Sequence, residues 1–64
     1  MQVNGEQVTL TEPMSVADYL ASHGYRPERV AVELNGAIVP RGERDEAMLD
    51  DQAVMEIVQF VQGG

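Results

Sequence analysis

The sequence predicts an α+β domain in which a single helix packs on a mixed sheet of four to five strands. Apolar residues alternate with polar ones near the start, in the middle and near the end of the chain, and they show helical spacing in one short segment between. The 64 residues, 44% of them hydrophobic, are enough for one core and too few for two. We expect residues 1–61 to form this single domain and residues 62–64 to be a flexible tail.

The first predicted element is a β-hairpin that turns at Asn4-Gly5. Apolar and polar residues alternate on both sides of this dipeptide. Both central residues of a type I′ turn need positive φ, which Asn and Gly adopt more readily than other residues. The pattern therefore predicts strands at residues 1–3 and 6–11.

A short helix follows, over residues 16–23. Ser15 stands at the N-cap position, and Asp18 lies three residues later, where it can complete a capping box. Gly24 can end the helix. The apolar stripe at i, i+3, i+4 and i+7 consists of Val16, Tyr19, Leu20 and His23.

Three further strands complete the predicted sheet. Residues 30–34 alternate and end at Asn35-Gly36, residues 37–39 pair back briefly, and the last strand covers residues 54–61. We expect the first and last strands to be parallel neighbours at the sheet centre, because the helix must cross over between parallel strands. The predicted core consists of Val3, Val8, Leu10, Val16, Leu20, Val30, Val32, Leu34, Leu49, Met55 and Ile57.

Charge argues against several kinds of partner. Eleven acidic residues against four basic ones give a net charge of −7. Such a chain repels nucleic-acid backbones and anionic lipid, so we expect no nucleic-acid or membrane role, and a basic protein surface fits better. The sequence shows no basic and apolar leader pattern and no apolar run that could span a membrane, so we expect a cytoplasmic location.

The residue inventory also argues against catalysis within this chain. The sequence has no Cys, no Lys and one His, so it offers neither a thiol or amine nucleophile nor a zinc site with N and S ligands. We expect the side chains of Ser22 and His23 to diverge on the helix, and the acidic residues 43–51 lack the spacing of a calcium loop. We therefore expect no catalytic residue, no metal site and no bound cofactor.

One face of the last strand is a candidate partner surface. Glu56 should avoid the core, which places Val54, Val58 and Phe60 on the same outward side of the strand. Exposed apolar patches on small domains often mark interaction sites. The alternative is that these residues fill a second small cluster on a sheet that is covered on both faces.

The end of the sequence is the second candidate site. Gly63 and Gly64 carry no Cβ, so this segment can lie extended in a channel too narrow for side chains and present an unhindered carboxylate. The alternative is an ordinary frayed terminus. The glycine pair carries more weight here because it directly follows a predicted strand.

The whole chain resembles the ThiS family, the sulfur carriers of thiamine (thiazole) biosynthesis, which have the ubiquitin-like β-grasp fold. The resemblance rests on the Asn4-Gly5 hairpin, the helix start at residues 15–20, the segments 30–36 and 38–41, and the ending from Met55 to Gly63-Gly64. Two local departures are a short first strand and Asp51-Gln52 in the turn before the last strand.

The resemblance implies a covalent role for Gly64. A ThiF-like adenylyltransferase would use ATP to convert the Gly64 carboxylate into an acyl adenylate. Sulfur from a cysteine desulfurase route would then give a thiocarboxylate, which a ThiG-like thiazole synthase would use. The chain would be a carrier and not an enzyme.

Other functions stay open at this point. The nearest alternatives are the small subunit of molybdopterin synthase and another β-grasp sulfur carrier. From a different class come a ubiquitin-like protein modifier, joined to lysines through Gly64, and a non-covalent binding module.

Overall fold

A computed structural model describes residues 1–60 of the chain. In this part, one α-helix packs on a five-stranded mixed sheet, and a second sheet has two short strands. The predicted α+β architecture is therefore confirmed. The predicted domain boundary after residue 61 and the tail 62–64 lie outside the described residues.

The strands of the five-stranded sheet are β1 (Gln2–Val3), β2 (Glu6–Gln7), β4 (Val30–Leu34), β5 (Ala37–Ile38) and β7 (Val54–Gln59). Their order in the sheet is β2-β1-β7-β4-β5. β1 and β7 pair in parallel, with Val3 opposite Met55, as the sequence predicted. All other neighbours in this sheet are antiparallel.

Two Asn-Gly turns set the register of the hairpins. Asn4 and Gly5 have φ of 52° and 83°, and Asn35 and Gly36 have φ of 52° and 88°. These values match the type I′ turn, whose twist suits the right-handed twist of paired strands. The two turns join β1 to β2 and β4 to β5.

The helix α1 (Val16–Ser22) ends one residue earlier than predicted. The Oγ of Ser15 accepts a hydrogen bond of 3.0 Å from the backbone N–H of Asp18, so the predicted N-cap is confirmed. His23 is the C-cap, with φ −106° and ψ 12°, and is therefore no longer helical.

The second sheet was not predicted. It pairs β3 (Met14–Ser15) with β6 (Met48–Leu49) in antiparallel register. Strands of two residues show no periodicity, so only the pairing in space defines them. The sheet joins the start of the helix to residues 47–49, because the N–H of Val16 also donates to the carbonyl of Ala47 at 2.8 Å.

Three predicted strands are too long. The second ends at Gln7 instead of residue 11, because after the bond from the Val8 N–H to the Met1 carbonyl the chain leaves the sheet to reach β3. The strand predicted at residues 37–39 ends at Ile38. The last strand ends at Gln59, and Phe60 follows it outside the ladder.

The core lies between the helix and the inner face of the sheet. Eight of the eleven predicted core residues are buried, whereas Val8, Leu10 and Leu34 are only half-buried because they lie at the rim of the core. Leu20, Leu49 and Met55 are among the fully buried side chains. Within residues 1–60, the prediction omitted four buried apolar residues: Met1, Tyr19, Val39 and Ala53.

Candidate functional site

The outward face of β7 is an exposed apolar strip. Val54, Val58 and Phe60 are 46%, 56% and 51% exposed, and Glu56 among them is also exposed. The intervening side chains of Met55 and Ile57 are buried against the helix. The predicted alternation is therefore confirmed, and the covered second cluster that was its alternative is absent from residues 1–60.

Neighbouring strands widen this strip. Directly paired residues share a face of a sheet, so Ala31, opposite Val58, and Glu33, opposite Glu56, lie on the outward side. Glu33 also pairs with Ile38, which is 65% exposed. We name Val54, Glu56, Val58, Phe60, Glu33 and Ile38 the docking face.

Ile38 was missed by the sequence prediction, although a signal for it existed. A two-residue turn at Asn35-Gly36 places Leu34 opposite Ala37 and Glu33 opposite Ile38. A charged residue at position 33 on a half-buried strand should face water. Its partner across the hairpin must then face water as well.

The docking face carries two negative charges at its centre. Glu33 and Glu56 lie directly opposite each other on adjacent antiparallel strands. Like charges at directly opposite positions of paired strands repel each other and are unfavourable. A basic side chain of a partner placed between them would relieve this repulsion, so the face suits a partner that is apolar with a basic group.

Asparagine side chains hold β7 in place. The Asn4 Oδ1 accepts from the Ile57 N–H at 2.7 Å, and its Nδ2 donates to the Ile57 carbonyl at 3.2 Å. The Asn35 Oδ1 accepts from the Val54 N–H at 2.9 Å. The turn residues therefore also fix the position of the strand that presents the docking face.

A buried arginine, Arg44, stabilises the segment that lies next to the end of β7. Arg44 is only 5% exposed, and its guanidinium donates to the carbonyls of Pro27 at 2.9 Å and Val30 at 2.7 Å. Arg29 lies between Pro27 and Val30 in the sequence, and its carbonyl accepts a hydrogen bond of 2.8 Å from the N–H of Phe60. Arg44 thus holds the segment that anchors Phe60.

Burial lowers the pKa of Arg44 from its ordinary value, and the nearby positive charge of Arg41 lowers it further. The buried guanidinium still stays charged at neutral pH, because arginine does not lose its proton in proteins. The sequence prediction placed residues 41–46 in a polar irregular segment and did not identify Arg44 as buried. A single arginine in a loop gives no periodic signal that would reveal its burial.

Ser22 and His23 are closer together than predicted. The Ser22 Oγ lies 3.0 Å from the His23 Nδ1, because His23 has left the helical conformation. However, the Ser22 hydroxyl and the His23 Nδ1 both lie 3.1 Å from the carbonyl oxygen of Tyr19, and the His23 ring stacks on the Tyr19 ring. These contacts form a helix cap, and the expectation that the two side chains diverge was wrong.

Two other findings concern residues 1–60. Within this range no group of three or more His, Cys, Asp and Glu side chains is arranged to hold a metal ion. No helix in the described part of the chain is long and apolar enough to cross a membrane. Gly64, the predicted covalent site, and Gly63 of the predicted tail both lie outside the described residues.

Comparisons with known proteins place this geometry in a family. The ThiS family model matches residues 1–64. The sulfur carrier protein ThiS of Bacillus subtilis (strain 168) is 37% identical over 65 residues, which cover 100% of this chain and 98% of that protein. A thiazole synthase of Magnetococcus marinus is 34% identical over 64 residues, which cover 100% of this chain and 20% of that protein.

A solved structure has the same fold. The crystal structure of the thiamine biosynthesis protein ThiS from Geobacter metallireducens superposes with a TM-score of 0.83 at 32% identity, covering 98% of this chain and 96% of that one. The predicted β-grasp fold is therefore confirmed. The chain belongs to the ThiS family of small sulfur carrier proteins of thiamine biosynthesis.

Proposed function

We propose that this chain carries sulfur for thiazole formation as a thiocarboxylate on Gly64. The match of the ThiS family over the whole chain is the observation that carries the proposal. The Gly63-Gly64 sequence after β7 supports it, because two residues without Cβ can enter a narrow channel. This match favours the ThiS role over the alternatives, which are a molybdopterin synthase subunit, another sulfur carrier, a protein modifier and a non-covalent binding module.

The proposed chemistry begins by making a poor electrophile reactive. The Gly64 carboxylate attacks the α-phosphate of ATP, pyrophosphate leaves, and an acyl adenylate forms. The outer sulfur of a persulfide then attacks the acyl carbon, and the bond to AMP breaks. A thiol reduces the resulting acyl disulfide, which leaves the thiocarboxylate on Gly64 and a new disulfide on the donor.

In this proposal the partners supply every catalytic group. A ThiF-like adenylyltransferase binds and consumes ATP, a cysteine desulfurase route supplies the persulfide, and a ThiG-like thiazole synthase takes the sulfur. The similarity of this chain to one fifth of a protein named thiazole synthase supports that last partner. The chain itself is a carrier without a bound cofactor, and we propose that it works in the cytoplasm.

The docking face supplies the surface for these partners. Its exposed apolar side chains lie on the strand that leads towards Gly64. Four residues follow Phe60, and an extended chain spans at most about 3.6 Å per residue, so Gly64 lies within about 14 Å of Phe60. A partner that acts on Gly64 therefore works within reach of this end of the sheet.

Pyrophosphate release with the adenylyltransferase and ATP tests the proposal. Gly63→Ala should abolish release, because a Cβ beside the last peptide bond obstructs the channel. Gly42→Ala is the matched control, because an added Cβ there meets open space and the backbone has no positive φ. Equal activity of the two variants would contradict the proposal that the Gly63-Gly64 segment passes through a narrow channel of the adenylyltransferase.

A further inference from the structure

We propose that a cleft lined by Arg26, Arg29 and Phe60 receives an acidic side chain of the adenylating partner. The inference rests on the proposed function, because the partner is the enzyme that acts on Gly64. It adds a second, oppositely charged contact to the docking face, at the end of the sheet where β7 stops.

The first observation is the distribution of positive charge. The sequence has four basic residues, all arginines, against eleven acidic ones. Arg26 is the N-cap of the 3-10 helix Pro27–Arg29, and Arg29 is the last residue of that helix. The other two arginines bind the same segment, since Arg41 donates to the Glu28 carbonyl at 3.3 Å and Arg44 to the Pro27 and Val30 carbonyls.

All four positive side chains therefore gather at residues 26–30, in a chain that is otherwise acidic. Arg41 and Arg44 use their guanidinium groups on backbone carbonyls. Arg26 and Arg29 are exposed and line a cleft. The acidic residue of the segment, Glu28, is not part of the cleft wall.

The second observation is the size and lining of this cleft. It has a volume of about 200 Å³ and is open to solvent. Pockets that bind small molecules usually have volumes of about 300–1,000 Å³, so this cleft suits a single side chain better than a nucleotide. Besides the two arginines, its wall consists of Gly24, Val30, Gln59 and Phe60.

The third observation is that the cleft shares a residue with the docking face. Phe60 belongs to both, and it follows Glu56 by four residues. At about 3.3 Å per residue, about 13 Å of chain separates Glu56 from Phe60, which lines the cleft together with the two arginines. Arginine next to an apolar centre is a common composition of protein interfaces.

These observations favour a carboxylate as the occupant. An arginine guanidinium pairs with a carboxylate through two parallel hydrogen bonds, and two arginines at one cleft can hold one carboxylate from both sides. An acidic group of a partner would be repelled by the rest of the chain, because the net charge of the whole chain is −7 even with the four arginines counted. A carboxylate held in the cleft would therefore help to fix the orientation of the partner on this chain.

The test measures binding of the adenylyltransferase by isothermal titration calorimetry. The double variant Arg26→Gln and Arg29→Gln should raise the Kd about tenfold at about 0.05 M salt, and the difference should shrink at about 0.5 M salt because exposed charges are then screened. Arg41→Gln is the control, because it also removes an exposed positive charge but lies outside the cleft. Its Kd should stay within about twofold of the original.

The other outcomes overturn the inference. If the double variant binds as the unchanged chain does, or if Arg41→Gln weakens binding as much, the cleft is not the contact. A lower kcat of adenylation with an unchanged KM would show that the arginines act on the bound nucleotide instead. If the unchanged chain itself is not adenylated, the proposed function fails and this inference fails with it.

Discussion

Replacing Arg44 with methionine removes a buried charge without removing the bulk of the side chain. In the folded protein the Arg44 guanidinium donates to the carbonyls of Pro27 and Val30, and its Nε is buried without a hydrogen-bond partner in the described structure. Methionine can fill the aliphatic part of the space but leaves both carbonyls without their donor. We therefore expect the variant Arg44→Met to fold with reduced stability.

The magnitude follows from the two hydrogen bonds and the one buried nitrogen. A hydrogen bond from a charged donor contributes about 1.5–3 kcal/mol, so two contribute about 3–6 kcal/mol. Removing the unpartnered Nε recovers about 1–3 kcal/mol of desolvation cost. The net loss in the free energy of unfolding then lies between about 0 and 5 kcal/mol, with a central value of about 2.5 kcal/mol. The total is about 3–10 kcal/mol for a domain of this size.

Urea unfolding measures this loss directly. With an m-value of about 1 kcal/mol/M, the central value corresponds to a fall in the midpoint of about 2.5 M. Arg41→Met is the matched control, because the exposed Arg41 makes one hydrogen bond, of 3.3 Å, to the Glu28 carbonyl and should change stability by less than about 0.5 kcal/mol. Equal midpoints for the two variants would refute the role assigned to Arg44.

Three further predictions concern the core, the docking face and pH. Leu20→Ala, at a fully buried position of the helix, should lower the unfolding free energy by about 2–5 kcal/mol in the same urea assay, and a loss below about 1 kcal/mol would contradict the packing described here. Phe60→Ser should raise the Kd for the adenylyltransferase about thirtyfold, because about 100 Å² of exposed ring surface is worth about 2 kcal/mol when buried. Its circular dichroism should not change, and Met48→Ser, with a similarly exposed side chain in the second sheet, should bind normally. Burial, and secondarily Tyr25, raises the pKa of Tyr19 from its ordinary value of 10.0, so the folded chain keeps the phenol proton at pH values where the unfolded chain loses it. The Tyr19 contribution to stability should therefore be complete below about pH 10 and fall as the pH rises towards the raised pKa, and Tyr19→Phe should lack this loss.

The elements that the sequence predicted correctly are those with a local chemical signature. Asn-Gly needs no distant partner to form a type I′ turn, and Ser15 caps the helix with its own side chain. The outward face of β7 was also predictable, because a charged residue such as Glu56 should face water, and alternate residues of a strand lie on the same face as Glu56. Each of these features depends on residues at most four positions apart.

The features that the sequence did not predict depend on distant contacts. The short strands at residues 14–15 and 48–49 exist only as a pair. The burial of Arg44 depends on carbonyls 14 and 17 residues away. The contact between Ser22 and His23 is local, but it depends on where the helix ends, and a prediction that ended the helix one residue later missed it.

The cleft lined by Arg26 and Arg29 also depends on contacts between residues that are distant in the sequence. Arg26 and Arg29 are two of the four arginines of the chain, and in the sequence they lie in the connection between the helix and the strand that starts at Val30. The folded chain brings them next to Phe60, about thirty residues later, because the Phe60 N–H donates to the Arg29 carbonyl at 2.8 Å. Pairing of β4 with β7 is what places them there.

The intact mass of the chain after reaction tests the proposed carrier function most directly. Incubation with the adenylyltransferase, ATP and a persulfide donor, followed by reduction with a thiol, should raise the mass by the difference between one sulfur and one oxygen atom. Fragmentation should place this change on Gly64, and a variant without Gly64 should show no change. A mass increase on another residue, or one that persists without Gly64, would contradict the proposed thiocarboxylate.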